Sequence, residues 1–389
     1  MLFTRSTITA VDLQTQAFIT ECPASPIPHV LAASGKEVAT GGKISASLYV
    51  TRACNLRCRT CYVSAGLSKL KELQKEDWER VIRQLREVAD MVYFLGGEPL
   101  MRPWTVELVR LTASLGMAPS MSTNGFLMNR EIARKLKDAG LATLQLSIDG
   151  AGPNQNDPIR GRGSFNAAIQ AVNAATAEGL TVSLSYTVMD YNASGVKGIL
   201  ELAGKLGVNE VNLIGVQPFG RARENGFRLS RETGKAVIKE AEGAGVRVTL
   251  NGFRFYLPDF DRVASELSAG RGYRDGYRTC PAGVNHLVID LDGEVYGCDL
   301  LMGNRFSEGN VSHARLGEIW RKGFNPFRER PVPPQCSACP YAACQGGCPA
   351  RAFAEFGSLD SPDPLLPALE RKSAVSAAKR RGSTQLDRT

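Results

Sequence analysis

An α/β fold is predicted here, a partial (β/α)6 parallel barrel followed by a small cysteine-rich α+β domain, and three observations predict it. Short β-rich runs alternate with amphipathic helical runs from Ile44 to Gly220. Gly116, Gly140, Gly179 and Gly207 close successive helical runs, as C-terminal caps do. The ten cysteines fall into two dense groups and one outlier, Cys22, with the second group in a Gly- and Pro-rich stretch after the alternation ends. Repeated β-then-α units bury both faces of a parallel sheet under helices. Six units are fewer than the eight of a closed barrel, so the barrel is expected to stay open.

The elements follow in order. Residues 1–42 read as an irregular N-terminal extension, broken by Pro23, Pro26, Pro28, Gly35, Gly41 and Gly42. Strands are expected at Ser45–Val50, Met91–Leu95, Pro119–Ser122, Thr143–Ile148, Thr181–Val188 and Glu210–Val216. Lys75–Ala89 is expected to be a helix, because Trp78, Val81, Ile82, Leu85 and Val88 recur at helical spacing. Further helices are expected at Thr105–Leu115, Arg130–Ala139, Ser164–Ala177 and Val196–Leu206. The barrel so defined spans 43–225. A bridging region, 226–278, carries one helix around Arg231–Gly243. The cysteine-rich domain, 279–367, opens with a hairpin over Leu287–Cys298 that turns at Asp292-Gly293. A basic flexible tail occupies 368–389.

Composition narrows the class. Hydrophobic residues make up 43% and charged residues 22% of the 389, enough apolar material for a sizeable core. No run approaches the ~18 apolar residues of a spanning helix, and the first residues do not read as a secretory signal. The expectation is a soluble cytoplasmic protein. The net charge of +8 gathers toward the end, where Arg371, Lys372, Lys379, Arg380, Arg381 and Arg388 face only Asp387. That is a solvated tail rather than a nucleic-acid surface.

Cysteines clustered in a large chain without a signal favour metal ligation over disulfides. Cys54-Asn-Leu-Arg-Cys58-Arg-Thr-Cys61 places three thiols on one loop after the first strand. A four-iron cubane takes four thiolates, so three leave one iron open to a small molecule. A structural zinc site wants four ligands, and this loop offers no local fourth.

Gly96-Gly97-Glu98-Pro99 follows the second strand, Ser122-Thr123-Asn124-Gly125 the third, and Ser147-Ile148-Asp149-Gly150 the fourth. Pro158-Ile159-Arg160-Gly161, Gly163-Ser164-Phe165 and Gln217-Pro218-Phe219-Gly220-Arg221-Ala222 complete the set. In this order, after C-x3-C-x2-C, they resemble the radical S-adenosylmethionine (SAM) superfamily. The resemblance implies a 4Fe-4S cluster on Cys54, Cys58 and Cys61, chelated at its open iron by SAM. It also implies SAM contacts from Gly96, Gly97, Glu98, Pro99, Ser122, Asn124, Asp149, Arg160 and Gln217. Arg160 is the candidate for the SAM carboxylate, which a guanidinium matches. The paired glycines would let the backbone approach the methionine part. The family usually has an aromatic residue or His before the last loop cysteine; here Thr60 stands there, leaving Tyr62 as a candidate for adenine packing. The reaction implied is reductive cleavage of SAM to a 5′-deoxyadenosyl radical that abstracts hydrogen from a substrate, with the electron delivered by a flavodoxin or ferredoxin.

Cys280, Cys298, Cys336, Cys339, Cys344 and Cys348, with Asp290-Leu-Asp-Gly-Glu-Val-Tyr-Gly-Cys298, resemble the SPASM extension of that superfamily. The resemblance implies an auxiliary iron–sulfur cluster on Cys280, Cys298 and Cys348 and a second on Cys336, Cys339 and Cys344. Each set is one cysteine short of the common pattern. His286, Cys22 or substrate could complete the first, and Asp360 or Asp363 the second; a zinc ribbon over Cys336–Cys348 is the competing reading.

The whole layout resembles maturases of ribosomally made peptides, including those of pyrroloquinoline quinone and mycofactocin biosynthesis. Peptide modification is therefore expected: oxidative decarboxylation, or C–C or C–S bond formation. Residues 1–42 read as too short for a leader-binding domain, so a separate presenting protein is expected as partner. The alternative is a small metabolite or tetrapyrrole, with Arg221, Arg223, Arg254, Arg271 and Arg274 available for its carboxylates. A non-enzymatic zinc-binding interaction module is the third reading. Tyr256, Asp299 and Arg221 are only positional candidates for an acid or base, and the sequence leaves the catalytic groups open.

Overall fold

The computed structural model describes residues 10–11, 17–20, 44–66, 70–253, 280–337 and 346–366. In chain order the first elements are β1 (Ala10–Val11), β2 (Ala17–Thr20), β3 (Ile44–Tyr49), α1 (Lys75–Leu85), β4 (Ala89–Leu95), α2 (Thr105–Ser114), β5 (Ala118–Thr123) and α3 (Arg130–Asp138). Next come β6 (Thr143–Ser147), α4 (Pro153–Arg160), α5 (Ser164–Ala177), β7 (Val182–Val188), α6 (Val196–Leu206), β8 (Glu210–Gly215), α7 (Gly220–Glu224), α8 (Arg231–Glu242) and β9 (Arg247–Asn251). The chain continues with β10 (His286–Ile289), β11 (Glu294–Tyr296), β12 (Gly309–Asn310), α9 (Leu316–Lys322), α10 (Asn325–Arg328) and α11 (Pro349–Phe356).

Strands β3 to β8 lie side by side in sequence order, each parallel to the next, and form the expected open barrel. The helices cover its outside because their apolar residues keep helical spacing. In α1, Trp78, Val81, Ile82 and Leu85 are all buried, and Asp77 accepts the Gln74 N–H at 2.9 Å to cap the helix. Leu48, Phe94, Met121, Leu146, Leu184 and Leu213 face the helices in one continuous core. The alternate strand residues turn inward, as the two-residue period requires.

The sheet is larger than the sequence predicts. The alternation was expected to end after Gly220, yet β9 adds a parallel strand beside β8, and β2 lies parallel to β9. Residues 1–42 are therefore not wholly irregular. Nor does the cysteine-rich part stand apart from the barrel. His286–Ile289 pairs in parallel with β3, through His286↔Ser45 and Ile289↔Leu48. All four β10 residues are buried, as in a strand covered on both faces. The hairpin itself is as expected, with Val288↔Tyr296 and Ile289↔Val295 paired and Gly293 at φ 87° in the turn. Among the described residues no helix is long and apolar enough to cross a membrane. The basic tail over 368–389 and the later part of the bridge, 254–278, lie outside the described residues.

Candidate functional site

The carboxyl ends of the parallel strands meet around a cavity of about 1100 Å³, including its open mouth. That is the place at which open parallel sheets take ligands. Its walls come from the loop after β3 and the ends of β4 to β8, with Leu300 as the contribution of the cysteine-rich part.

Cys54, Cys58 and Cys61 all line this cavity. The Leu56 N–H points at Cys54 Sγ (3.4 Å) and the Ala65 N–H at Cys61 Sγ (3.3 Å). The Cys58 thiol is directed at the Arg160 carbonyl (3.7 Å). Burial pushes the Cys54 thiol up to about 11, and raises Cys58 against the pull of Arg160. A bound metal reverses this balance, because it is the thiolate that ligates.

The loop's shape is imposed from three sides. Glu72 accepts from Thr51 Oγ1 (2.9 Å) and the Arg52 N–H (3.1 Å), and is itself held by Arg102. Arg221 donates from Nε to the Cys58 carbonyl and from Nη1 to the Ala65 carbonyl, both at 2.8 Å, and its N–H reaches the Cys61 carbonyl. At Gly220 a Cβ would stand 2.4 Å from the Tyr62 carbonyl oxygen. Arg221, a sequence candidate for substrate binding or acid–base work, is thus a clamp on the thiol loop. Glu72 carried no sequence signal, because a single acidic residue in a loop looks like any solvated one.

Gly96 and Gly97 line the cavity, and they also press against the start of the thiol loop. A Cβ on Gly96 would lie 2.5 Å from the Thr51 carbonyl oxygen, and one on Gly97 2.2 Å from that of Ala53. The chain's own backbone therefore demands glycine here, in addition to any ligand. Glu98 is fully buried and stands off the cavity wall. Its carboxylate accepts from the Leu100 N–H, Thr123 Oγ1 and the Asn124 N–H at 3.1, 2.7 and 2.8 Å. Burial raises its carboxyl, opposed by those three donors. It fixes the ends of β4 and β5 to one another. Pro99, also off the wall, starts the adjoining turn, and its carbonyl accepts from Thr105.

Ser122, Asn124, Arg160 and Gln217 all line the cavity, as do Thr60 and Tyr62. Asn124 bridges to Asn55 (2.7 Å) on the thiol loop. Asp149 is fully buried behind the wall; one oxygen accepts from Arg160 Nη1 and the other from the Thr187 N–H, both at 2.8 Å. Burial works against the Arg160 charge, while Cys58 and Asp149 sustain it. Gln217 donates to the Gly215 carbonyl (2.7 Å), and its buried Oε1 has no protein partner.

In the cysteine-rich part, Cys280, Cys298 and Cys348 pack into one apolar cluster with Tyr62, Phe219, Leu300 and Phe327. Buried Cys336 lies in the turn Pro334–Cys336. Cys22, Cys339, Cys344, Tyr256, Arg254, Arg271 and Arg274 lie outside the described residues. Asp363, weighed as a cluster ligand, is occupied: both oxygens face the Arg351 guanidinium and one accepts the Cys348 N–H at 2.8 Å. Asp360 stays exposed.

His286 is likewise engaged at both ring nitrogens, Nδ1 with Ser45 Oγ (2.9 Å) and Nε2 with Asp299 Oδ2 (3.0 Å). Asp299 Oδ1 accepts from Tyr49 (2.9 Å), whose oxygen meets that of Tyr62 at 2.5 Å. Burial raises both phenols, so both keep their protons. Since the Tyr49 proton goes to Asp299, Tyr62 is the donor to Tyr49. This chain and the ion pair Arg52–Asp290 (2.6 Å) tie the cysteine-rich part to the thiol loop.

The residues fit a cluster with a chelating amino acid on it. Three thiols line the cavity with two backbone N–H groups aimed at sulfur, and a braced guanidinium and a buried amide oxygen without a protein partner line it with them. Hydrogen bonds to sulfur of this kind tune such clusters.

The family model for the radical SAM superfamily matches residues 48–203, and that for the SPASM iron–sulfur cluster-binding domain residues 280–340. The mycofactocin maturase MftC of Mycobacterium ulcerans is 30% identical over 325 residues, covering 81% of this chain and 85% of that protein. An AdoMet-dependent heme synthase of Oleidesulfovibrio alaskensis is 28% identical over 347 residues, with 85% and 88% covered. Among solved structures, Streptococcus suis SuiB bound to S-adenosylmethionine superposes with a TM-score of 0.68 at 17% identity, covering 83% and 77%. That likeness is one of fold.

Proposed function

The chain belongs to the radical SAM superfamily, with an iron–sulfur cluster-binding domain behind its barrel, and from that premise we propose that it modifies a ribosomally made peptide by radical chemistry. It is an enzyme whose cofactors are SAM, a 4Fe-4S cluster and auxiliary iron–sulfur chemistry. When bound, these supply the reductive cleavage of SAM to methionine and a 5′-deoxyadenosyl radical.

The chain's own groups take definite parts in this reading. Cys54, Cys58 and Cys61 hold the SAM-binding cluster, and the observation that carries the assignment is their shared wall with Arg160 and Gln217. Arg160, braced by Asp149, binds the SAM carboxylate. Ser122, Asn124, Gly96, Gly97 and Gln217 contact SAM directly, whereas Glu98, Pro99 and Asp149 act from behind the wall. Cys280, Cys298 and Cys348 serve one auxiliary cluster, and Cys336, Cys339 and Cys344 another. The domains are 43–225 for the barrel and 279–367 for the auxiliary part, with 1–42, 226–278 and 368–389 flanking them. Thiol-ligated clusters suit a reducing compartment, so the enzyme works in the cytoplasm, with a flavodoxin- or ferredoxin-type donor and a separate peptide-presenting protein.

A peptide is favoured because the relative with 30% identity is named a mycofactocin maturase, and SuiB, of like fold, has been solved with its precursor peptide. The heme synthase relatives support a tetrapyrrole as the second reading. Both are tested by anaerobic reconstitution, iron and sulfide analysis, and mass spectrometry after reaction with SAM and dithionite. Release of 5′-deoxyadenosine together with a mass change in a peptide encoded nearby supports the first. A change only in a carboxylated tetrapyrrole favours the second, and zinc without iron or sulfide rejects both.

A further inference from the structure

We infer that the outer rim of the thiol loop, carrying Arg57, Arg59, Arg162 and Arg223, is the docking surface for an acidic one-electron carrier protein. The inference rests on the cluster assignment above and adds where the electron enters. Arg57 and Arg59 flank Cys58 in sequence, yet both are exposed while the Cys58 thiol turns inward to the Arg160 carbonyl. The loop therefore has two sides, thiols toward the cavity and guanidinium groups toward solvent.

Two contacts gather further charge onto the same rim. The Arg59 N–H bonds the Ile159 carbonyl at 2.8 Å, which brings the end of α4 and exposed Arg162 beside the loop. Arg59 Nε bonds Asn225 Oδ1 at 3.2 Å, which brings the end of α7 and exposed Arg223 to the other flank. Arg59 also lies 5.0 Å from the Phe227 ring centroid, which holds its side chain against the surface. Arg52, Arg102, Arg130 and Arg134 each have a carboxylate partner. Among the described residues Arg57, Arg59, Arg162 and Arg223 have none within ion-pair distance. Acidic groups also lie near this rim: exposed Glu224 beside Arg223, Asp157, which accepts the Gly163 N–H next to Arg162 at 2.7 Å, and Asp190, which faces Arg228 at 3.7 Å.

An uncompensated positive rim steers and orients a negatively charged partner. An electron must also enter over a short distance, and the cavity side is reserved for SAM and substrate. The outer side of the loop offers a direct approach to the thiols. In the step itself one electron leaves the reduced carrier, which is oxidised by one electron, and is gained by the cluster on Cys54, Cys58 and Cys61; no group is transferred.

The test uses the reconstituted holoenzyme with an acidic flavodoxin, reduced beforehand, and follows cluster bleaching by anaerobic stopped flow. The wild-type rate constant should fall at least roughly tenfold between low salt and about 0.5 M salt. Arg57→Glu with Arg162→Glu should lower the low-salt rate by roughly tenfold, while Arg57→Lys with Arg162→Lys keeps it. Photoreduced deazaflavin, a small reductant, should bleach all these proteins within about twofold of one another, since it needs no charged docking face. A wild-type rate indifferent to salt, or charge-reversed protein reduced by flavodoxin as fast as wild type, overturns the proposal. Should the charge-reversed protein load less iron, the salt series on wild type and the lysine pair decides. An altered KM for peptide with unchanged flavodoxin reduction would assign the rim to substrate and also overturn it. If the wild-type protein holds no cluster that deazaflavin can bleach, the proposed function fails rather than the surface.

Discussion

Asp149 and Arg160 form a buried pair, Oδ2 to Nη1 at 2.8 Å, in which the arginine reaches the cavity and the aspartate does not. With its second oxygen on the Thr187 N–H, Asp149 cannot rotate without breaking a strand-end contact. It therefore fixes the guanidinium. Asp149→Asn should raise the SAM dissociation constant roughly tenfold or more, because a hydrogen bond to a charged group contributes about 1.5–3 kcal/mol. Iron content should stay at the wild-type level. Calorimetric SAM binding on the reconstituted protein checks both.

Gly97→Ala should be more damaging than its size suggests. The added methyl would meet the Ala53 carbonyl oxygen at 2.2 Å, one residue before Cys54. Backbone cannot yield as a flexible side chain does, so the thiol loop must move. The expected outcome is soluble protein with most of the SAM-binding cluster lost and the auxiliary iron retained. Iron analysis beside electron paramagnetic resonance measures this; wild-type spectra in G97A would show that the loop tolerates the shift.

Arg351 and Asp363 are both almost wholly buried, with Nη2 to Oδ2 at 2.5 Å. Breaking a buried pair from one side costs about 3–5 kcal/mol, whereas replacing both partners by apolar residues can be close to neutral. Asp363→Ala should therefore lower the unfolding midpoint markedly, and Arg351→Met with Asp363→Leu should recover part of the loss. Because Asp363 also accepts the Cys348 N–H, both proteins should show altered auxiliary-cluster spectra without losing iron in proportion to a missing ligand.

Much of this site was legible in the sequence because its chemistry is local. Three thiols within eight residues, and motifs after five of the six barrel strands, announce themselves without a fold. The six barrel strands were equally legible, since each alternates with an amphipathic helix. What stayed hidden is long-range. Nothing near Glu72 shows that it will hold Thr51 and Arg102, and nothing near Asp363 shows Arg351 as its partner. A polar residue in a Gly- and Pro-rich stretch reads as a ligand or as solvated, while a buried ion pair across the domain leaves no periodic trace. Strand β9, and the parallel pairing of the expected hairpin strand β10 with β3, were missed for a related reason: they join the sheet by register with distant partners, Glu210↔Arg247 and Ser45↔His286, rather than by a pattern of their own.

His286 decides between two readings of the cysteine-rich part, a cluster ligand or a bracket. Both ring nitrogens are committed, one to Ser45 on β3 and one to Asp299, and Asp299 also takes the Tyr49 hydroxyl. A ligand would need one of those nitrogens free. His286→Gln should therefore leave iron and sulfide per chain unchanged and cost about 1–3 kcal/mol in stability, the penalty of buried polar groups left poorly matched. Tyr49→Phe removes the other donor to the same carboxylate. Because both substitutions act on Asp299, their combined cost should differ from the sum by roughly 0.5 kcal/mol or more, as coupled neighbours do. Denaturant unfolding of the two single variants and the double variant measures that coupling. A strictly additive result would dissolve the bracket, and loss of iron in His286→Gln would restore the ligand.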